Sequence, residues 1–168
     1  INNLVSRKKL LKKYPFHTIL LPAATVLILA ANNLGQIQIG VISRPFYYVL
    51  LIALGVLTIS WLIFRDITRA GLFSTLIHFF LLTYGHFFGV MDGRVIGSWV
   101  IGTHTHMLVL WGVLFLSGVY FFVFRLKHFE NFTLILNVVV ILLTLFQVGQ
   151  FLTYEVRAQI IQNKSAAE

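Results

Sequence analysis

An all-α integral membrane protein, a bundle of five transmembrane helices with a cytoplasmic N-terminus and an outside C-terminus, is the fold class this sequence predicts. Three observations predict it. First, 58% of the 168 residues are hydrophobic, only 11% are charged, and the mean hydropathy is +0.88. A soluble domain of this length cannot hide that much apolar surface. Second, the apolar runs are continuous and close to the ~20 residues a bilayer requires of a helix. Alternation at period two, the mark of a membrane β-barrel, is absent. Third, the basic residues crowd the ends of the runs. With a cytoplasmic N-terminus, nine of the 13 Lys and Arg fall on the cytoplasmic side and four on the other, as the positive-inside rule requires.

The elements follow in order. Residues 1–14 carry Arg7, Lys8, Lys9, Lys12 and Lys13, with Leu4, Val5, Leu10 and Leu11 roughly on one helical face. This pattern suits a basic amphipathic segment on an anionic leaflet. The five-helix membrane domain occupies residues 15–154, with spans at about 15–34, 46–64, 70–90, 103–124 and 132–154. Pro22 bends the first span, and Asn32, Asn33, Gln36 and Gln38 mark its exit from hydrocarbon. Arg44 and Pro45 mark a turn before the second. Arg65, Asp66 and Arg69 close the second span, and Arg125, Lys127 and His128 close the fourth. Residues 155–168 form a polar C-terminal extension. Trp99 and Tyr154 suit the outer interface and Tyr14 the inner one. The first apolar run is as long as a span and lacks a small-x-small cleavage site, so no cleavable signal peptide is expected.

Net charge is +8 and the pI about 10.1. With the basic residues at helix ends, the expected partners are membrane lipids, other membrane helices or a larger complex, and not nucleic acid. The chain has no cysteine, which excludes a disulfide, a thiolate metal site and a cysteine nucleophile. All five Asp and Glu lie at span ends or in loops, so a proton or sodium relay has no intramembrane carboxylate. No Walker loop, HExxH or GxSxG occurs. No catalytic constellation is visible.

The third span, Gly71 to Val90, organises the sequence. It has no charged residue, yet it carries His78, Tyr84 and His86, which should turn toward protein or a water-filled cavity. Gly85, Gly89, Gly93 and Gly97 recur at four-residue spacing; in a span such spacing admits a close neighbouring helix, and beyond it loop flexibility. The third helix is therefore expected inside the bundle. His86 lies about as far before the following loop as His104 and His106 lie after it, so the three reach similar depth near the outer interface. Facing imidazoles there can hold haem, a chlorophyll-like pigment or a metal ion, or can hydrogen-bond at the headgroup level. Helical geometry limits the first reading, because His104 and His106 are about 200° apart on a helix. Arg44, His86, Arg94 and His104 form the favoured set, two cations and two imidazoles suited to a lipid phosphate, with the haem or pigment reading of His86, His104 and His106 as the alternative.

Four segments resemble one family. They are KKLLKKYPFHTILLPAATVLILAANNLGQIQ, RPFYYVLLIALGVL, FRDITRAGLFSTLIHFFLLTYGHFF and THTHMLVLWGVLF. Their order is similar to the N-terminal membrane region of bacterial sulfatase-like or lipoteichoic-acid-synthase-like proteins. The matching positions are Tyr14-Pro15-Phe16, Asn32-Asn33, Arg44-Pro45 and Tyr84-Gly85-His86, and the resemblance spans most of residues 8–155. It implies five spans, a cytoplasmic start and an outward hydrolase or transferase domain after the fifth. No residue here corresponds to that domain's metal ligands or Thr/Ser nucleophile. The expected function is a non-catalytic membrane domain in the bacterial inner membrane that anchors, and presents lipid headgroups to, an outward-facing sulfatase-like phosphotransferase domain. The alternative is an accessory subunit of a respiratory or photosynthetic complex, structural or binding haem or (bacterio)chlorophyll through His86, His104 or His106.

Overall fold

The computed structural model describes residues 9–34, 36 and 39–165. Residues 1–8, most of the basic amphipathic segment, lie outside the described residues, as do 166–168 at the end of the polar tail. Residues 9–13 are helical. Five helices follow: α1 His17–Ala31, α2 Ile39–Phe64, α3 Ile67–Met91, α4 His104–Tyr120 and α5 Phe129–Ser165. Between α3 and α4 lies a two-residue antiparallel ladder, β1 Val95–Ile96 with β2 Trp99–Val100.

Four of these helices are long and apolar enough to cross a membrane, over Gly40–Phe64, Ile67–Met91, His104–Arg125 and Phe129–Arg157. Their outward side chains are large and apolar: Leu51, Leu116 and Phe146 are 66%, 66% and 62% exposed. Such a surface requires lipid around it. The first expected span differs from the other four. Its helix has 15 residues, roughly 22 Å at the α-helical rise, short of the ~30 Å hydrocarbon thickness. Pro15 precedes it, and Asn32 and Asn33 turn the chain after Ala31.

The second helix starts earlier than the spacing suggests. It begins at Ile39, and Pro45 lies within it instead of marking a turn. Pro45 is the seventh residue, past the four N–H groups that lack partners at a helix start, so it costs the helix one intrahelical bond, to the Val41 carbonyl, within its first two turns.

The turns between helices are local chemistry. Arg65 takes the left-handed conformation, φ 55°, and its guanidinium lies over the Trp61 ring at 5.8 Å. Asp66 then caps α3, its carboxylate accepting from the Arg69 N–H at 2.8 Å, which satisfies one free donor of the first turn. Thr103 caps α4 through the His106 N–H. Helix α4 ends in a π-helical turn, Phe121–Arg125.

Helix α1 packs against α2, α3 and α5, while α3 packs against all four others. Helix α4 attaches chiefly to α3, through Trp111, whose indole N–H donates to the Phe80 carbonyl at 2.8 Å, and through Gly118, which lies against Leu76 and Phe80. At the other end Phe122, in the π turn, meets Phe64, Phe73 and Phe129 at centroid separations of 5.5, 5.5 and 5.6 Å. One aromatic cluster thus ties α2, α3, the end of α4 and α5.

The expectation for α3 holds in one half only. Ala70, Gly71, Leu72, Ser74, Thr75 and His78 are buried, whereas Gly85, His86, Phe87, Gly89 and Val90 are exposed. An added Cβ at Gly85 or Gly89 meets nothing within 4 Å. Between helices the close approaches occur at Gly71, against Pro15, and at Gly118, and in the loop at Gly102, against the backbone of Met91, Gly93 and Arg94. Gly93 and Gly97 serve the loop instead, at φ 69° and 62°, where side-chain-bearing residues are strained.

Candidate functional site

The most enclosed polar site lies where α1 begins, between α3 and α5. Its origin is a backbone problem. The helical stretch 9–13 stops before Pro15, and α1 starts at His17, so the break leaves backbone groups without helical partners. Asn137, in the third turn of α5, supplies them. Its amide donates to the Leu11 and Tyr14 carbonyls, each at 2.7 Å, and its carbonyl accepts from the His17 N–H at 2.7 Å. Asn137 is fully buried.

The facing wall is α3. Gly71, Ser74, Thr75 and His78 fall at helical spacing on one side of it. The Thr75 hydroxyl pairs with His17 Nδ1 at 2.6 Å. The Thr18 hydroxyl donates to the Gly71 carbonyl at 3.0 Å. His78 Nδ1 lies 2.7 Å from the Ser74 carbonyl; a carbonyl only accepts, so Nδ1 carries the proton and Nε2 is an acceptor. His17 Nε2, His78 Nε2 and the Thr133 hydroxyl are buried without a hydrogen-bond partner among the described residues. Residues of this kind inside an apolar bundle either join helices or mark function. The arrangement here joins α1, α3 and α5 and holds two imidazole nitrogens in reserve. Among the described residues no carboxylate takes part.

The residues singled out in the sequence lie elsewhere. His104 Nδ1 is 3.1 Å from the Tyr84 hydroxyl, and its ring stacks on Phe88 at 3.8 Å, 8° from parallel. Tyr84 and Phe88 share a face of α3. His86, two residues from each, lies about 200° around the helix from that face, and it is exposed. His86 and His104 therefore do not face each other. His106 Nδ1 is bound to the Val100 carbonyl at 3.0 Å and the Thr103 hydroxyl at 2.9 Å. Arg94 donates from Nε to the Val90 carbonyl at 3.0 Å, at the end of α3. Arg44 is exposed in the first turns of α2. Of the four proposed headgroup ligands, Arg94 and His104 flank the β1–β2 loop, while Arg44 sits on another helix. Among the described residues, no group of three or more His, Cys, Asp or Glu is placed to hold a metal ion.

Sequence reasoning missed His17 and Asn137. A signal existed: Thr133, Asn137 and Gln147 recur on one side of the last apolar run, and all are buried. A search for charged residues alone passes over them. Neither a protein family, nor a curated protein, nor a solved structure compared with the chain matches it.

Proposed function

We propose that the chain is a non-catalytic transmembrane domain of the bacterial inner membrane. It crosses five times from a cytoplasmic N-terminus, with α1 completing its crossing through the polar residues at its two ends. It anchors an outward-facing sulfatase-like phosphotransferase domain and presents lipid headgroups to it. The single observation that supports this reading best is the opposite character of the two bundle ends. The N-terminal segment, the start of α3 and the α4–α5 connection bring Lys12, Arg69 and Lys127 around one cleft. The other end carries Tyr84, Phe88, Arg94 and His104 around the short β1–β2 loop, where a phosphate can meet a guanidinium and an imidazole.

Two measurements test it. Reporters active in only one compartment, fused to each terminus, should give opposite signals; the same signal from both ends overturns the five-span reading. Labelling with a photoreactive phospholipid should mark the 84–104 end, and the Arg94→Ala/His104→Ala double variant should reduce labelling there by about tenfold, as expected for the loss of a charged hydrogen-bond donor to a phosphate. Labelling unchanged in the double variant removes the headgroup role.

A further inference from the structure

The basic end of the bundle holds a cleft that the reading above leaves without a task. It has a volume of about 460 Å³ and adjoins a second of about 420 Å³. Three separate pieces of chain build its walls: Lys12 before α1, Asp66 and Arg69 at the start of α3, and Lys127 and Glu130 around the start of α5. Lys9 and Lys13 line the adjoining part. The two clefts together carry five Lys or Arg against two carboxylates.

The geometry fixes several of these groups. The Asp66 carboxylate is engaged by the backbone of its own helix, accepting from the Arg69 N–H. The Lys12 ammonium donates to Asn131 Oδ1 at 3.0 Å, joining the N-terminal segment to α5. The Thr68 hydroxyl donates to the Lys13 carbonyl at 3.1 Å. The Arg69 guanidinium lies 4.8 Å from the Phe129 ring centre, and Phe129 is itself held edge-on by Phe122. Helices α3 and α5 both begin at this cleft, and their N-terminal dipole ends add positive potential. In the chain segment that supplies Lys9, Lys12 and Lys13, Leu10, Tyr14 and Phe16 are 49%, 41% and 45% exposed, an apolar border to the basic residues.

We propose that this cleft binds a phosphate group, and that its carrier is the phosphodiester headgroup of an anionic lipid in the leaflet facing the N-terminus. Arg69 and Lys127 contact the phosphate from opposite walls, with Lys12 held between them, and the exposed Leu10, Tyr14 and Phe16 face the acyl chains. A soluble phosphate ester shares the headgroup chemistry but gains nothing from that apolar border. The proposal concerns the opposite end of the bundle from Arg94 and His104 and stands whether or not those residues bind a headgroup.

Native mass spectrometry of the purified protein in neutral detergent, with phosphatidylglycerol and phosphatidylcholine at equal concentration, tests it. Phosphatidylglycerol should be retained in preference. Arg69→Gln/Lys127→Gln should lower the preference by about 25-fold, at about fivefold for each cation facing an anionic lipid. Arg65→Gln/Arg125→Gln removes the same charge from the same end, outside the cleft lining, and should keep the preference. An equal loss in both double variants, or none in the first, overturns the proposal. Lys127→Gln alone, in an exposed connection, covers the case in which the Arg69 variant does not fold; it should cost about fivefold, and an unchanged preference overturns the proposal equally. Displacement of the lipid by millimolar inorganic phosphate would support the phosphate site but assign it to a soluble ester, whereas retention supports the lipid.

Discussion

Asn137→Leu is expected to destabilise the bundle by about 3 kcal/mol, from one buried and one half-buried backbone group left without partners at roughly 1–3 kcal/mol each. The size follows from what Asn137 does. Leucine is close in volume and more apolar, so packing alone would predict a neutral or stabilising change inside a membrane helix. However, Asn137 holds the His17 N–H and the Leu11 carbonyl. The Tyr14 carbonyl, its third partner, also accepts from the Phe16 N–H at 3.0 Å and keeps that bond. Interhelical hydrogen bonds in membranes are often worth only about 0.6 kcal/mol, because the separated helices find other partners. The break around Pro15 cannot do so, since proline offers no N–H and the chain there is not helical. Thermal unfolding in detergent measures the effect. A midpoint equal to that of the unaltered protein would mean that the break is satisfied in another way.

Gly71→Leu is expected to cost about 3 kcal/mol, at the upper end of overpacking penalties. A Cβ at Gly71 falls on the Pro15 ring and 3.1 Å from the Thr18 hydroxyl. The ring is rigid and its backbone is tied to Asn137 through Tyr14, so neither side can retreat. Gly71→Ala should also destabilise, although alanine alone improves helix propensity by about 1 kcal/mol. Gly85→Ala and Gly89→Ala carry the opposite sign. Both positions face open space, so only the propensity gain acts, and the pair should be neutral or slightly stabilised. If Gly85→Ala/Gly89→Ala lowers the unfolding midpoint as far as Gly71→Ala does, another helix packs on that face in the membrane.

These two cases show why some of the molecule was legible in the sequence. Long apolar runs cannot be anything but helices in a bilayer, because hydrocarbon offers no partner for backbone N–H and C=O groups. Composition therefore suffices for α2 to α5, and charge suffices to group the connections that carry basic residues. Glycine spacing does not suffice. Gly-xxx-Gly at 85 and 89 has the pattern of a packing face, yet no neighbour among the described residues uses it, while isolated Gly71 and Gly118 carry the close contacts between helices. Nor does histidine spacing suffice. His86 and His104 reach similar depth, but depth leaves rotation about the helix axis free, and His104 meets Tyr84 and Phe88 instead.

The sequence by itself determined the class: apolar helices, basic residues gathered at span ends, no carboxylate within a span and no cysteine. Those are properties of single segments against a solvent, and each segment meets that solvent alone. Only the tertiary structure decided that His17, Thr75 and Asn137 converge, that α1 is short and enclosed, and that Lys12, Arg69 and Lys127 surround one cleft. Residues 58 to 120 positions apart make those contacts, and their meeting depends on the helix rotations and crossings that packing sets.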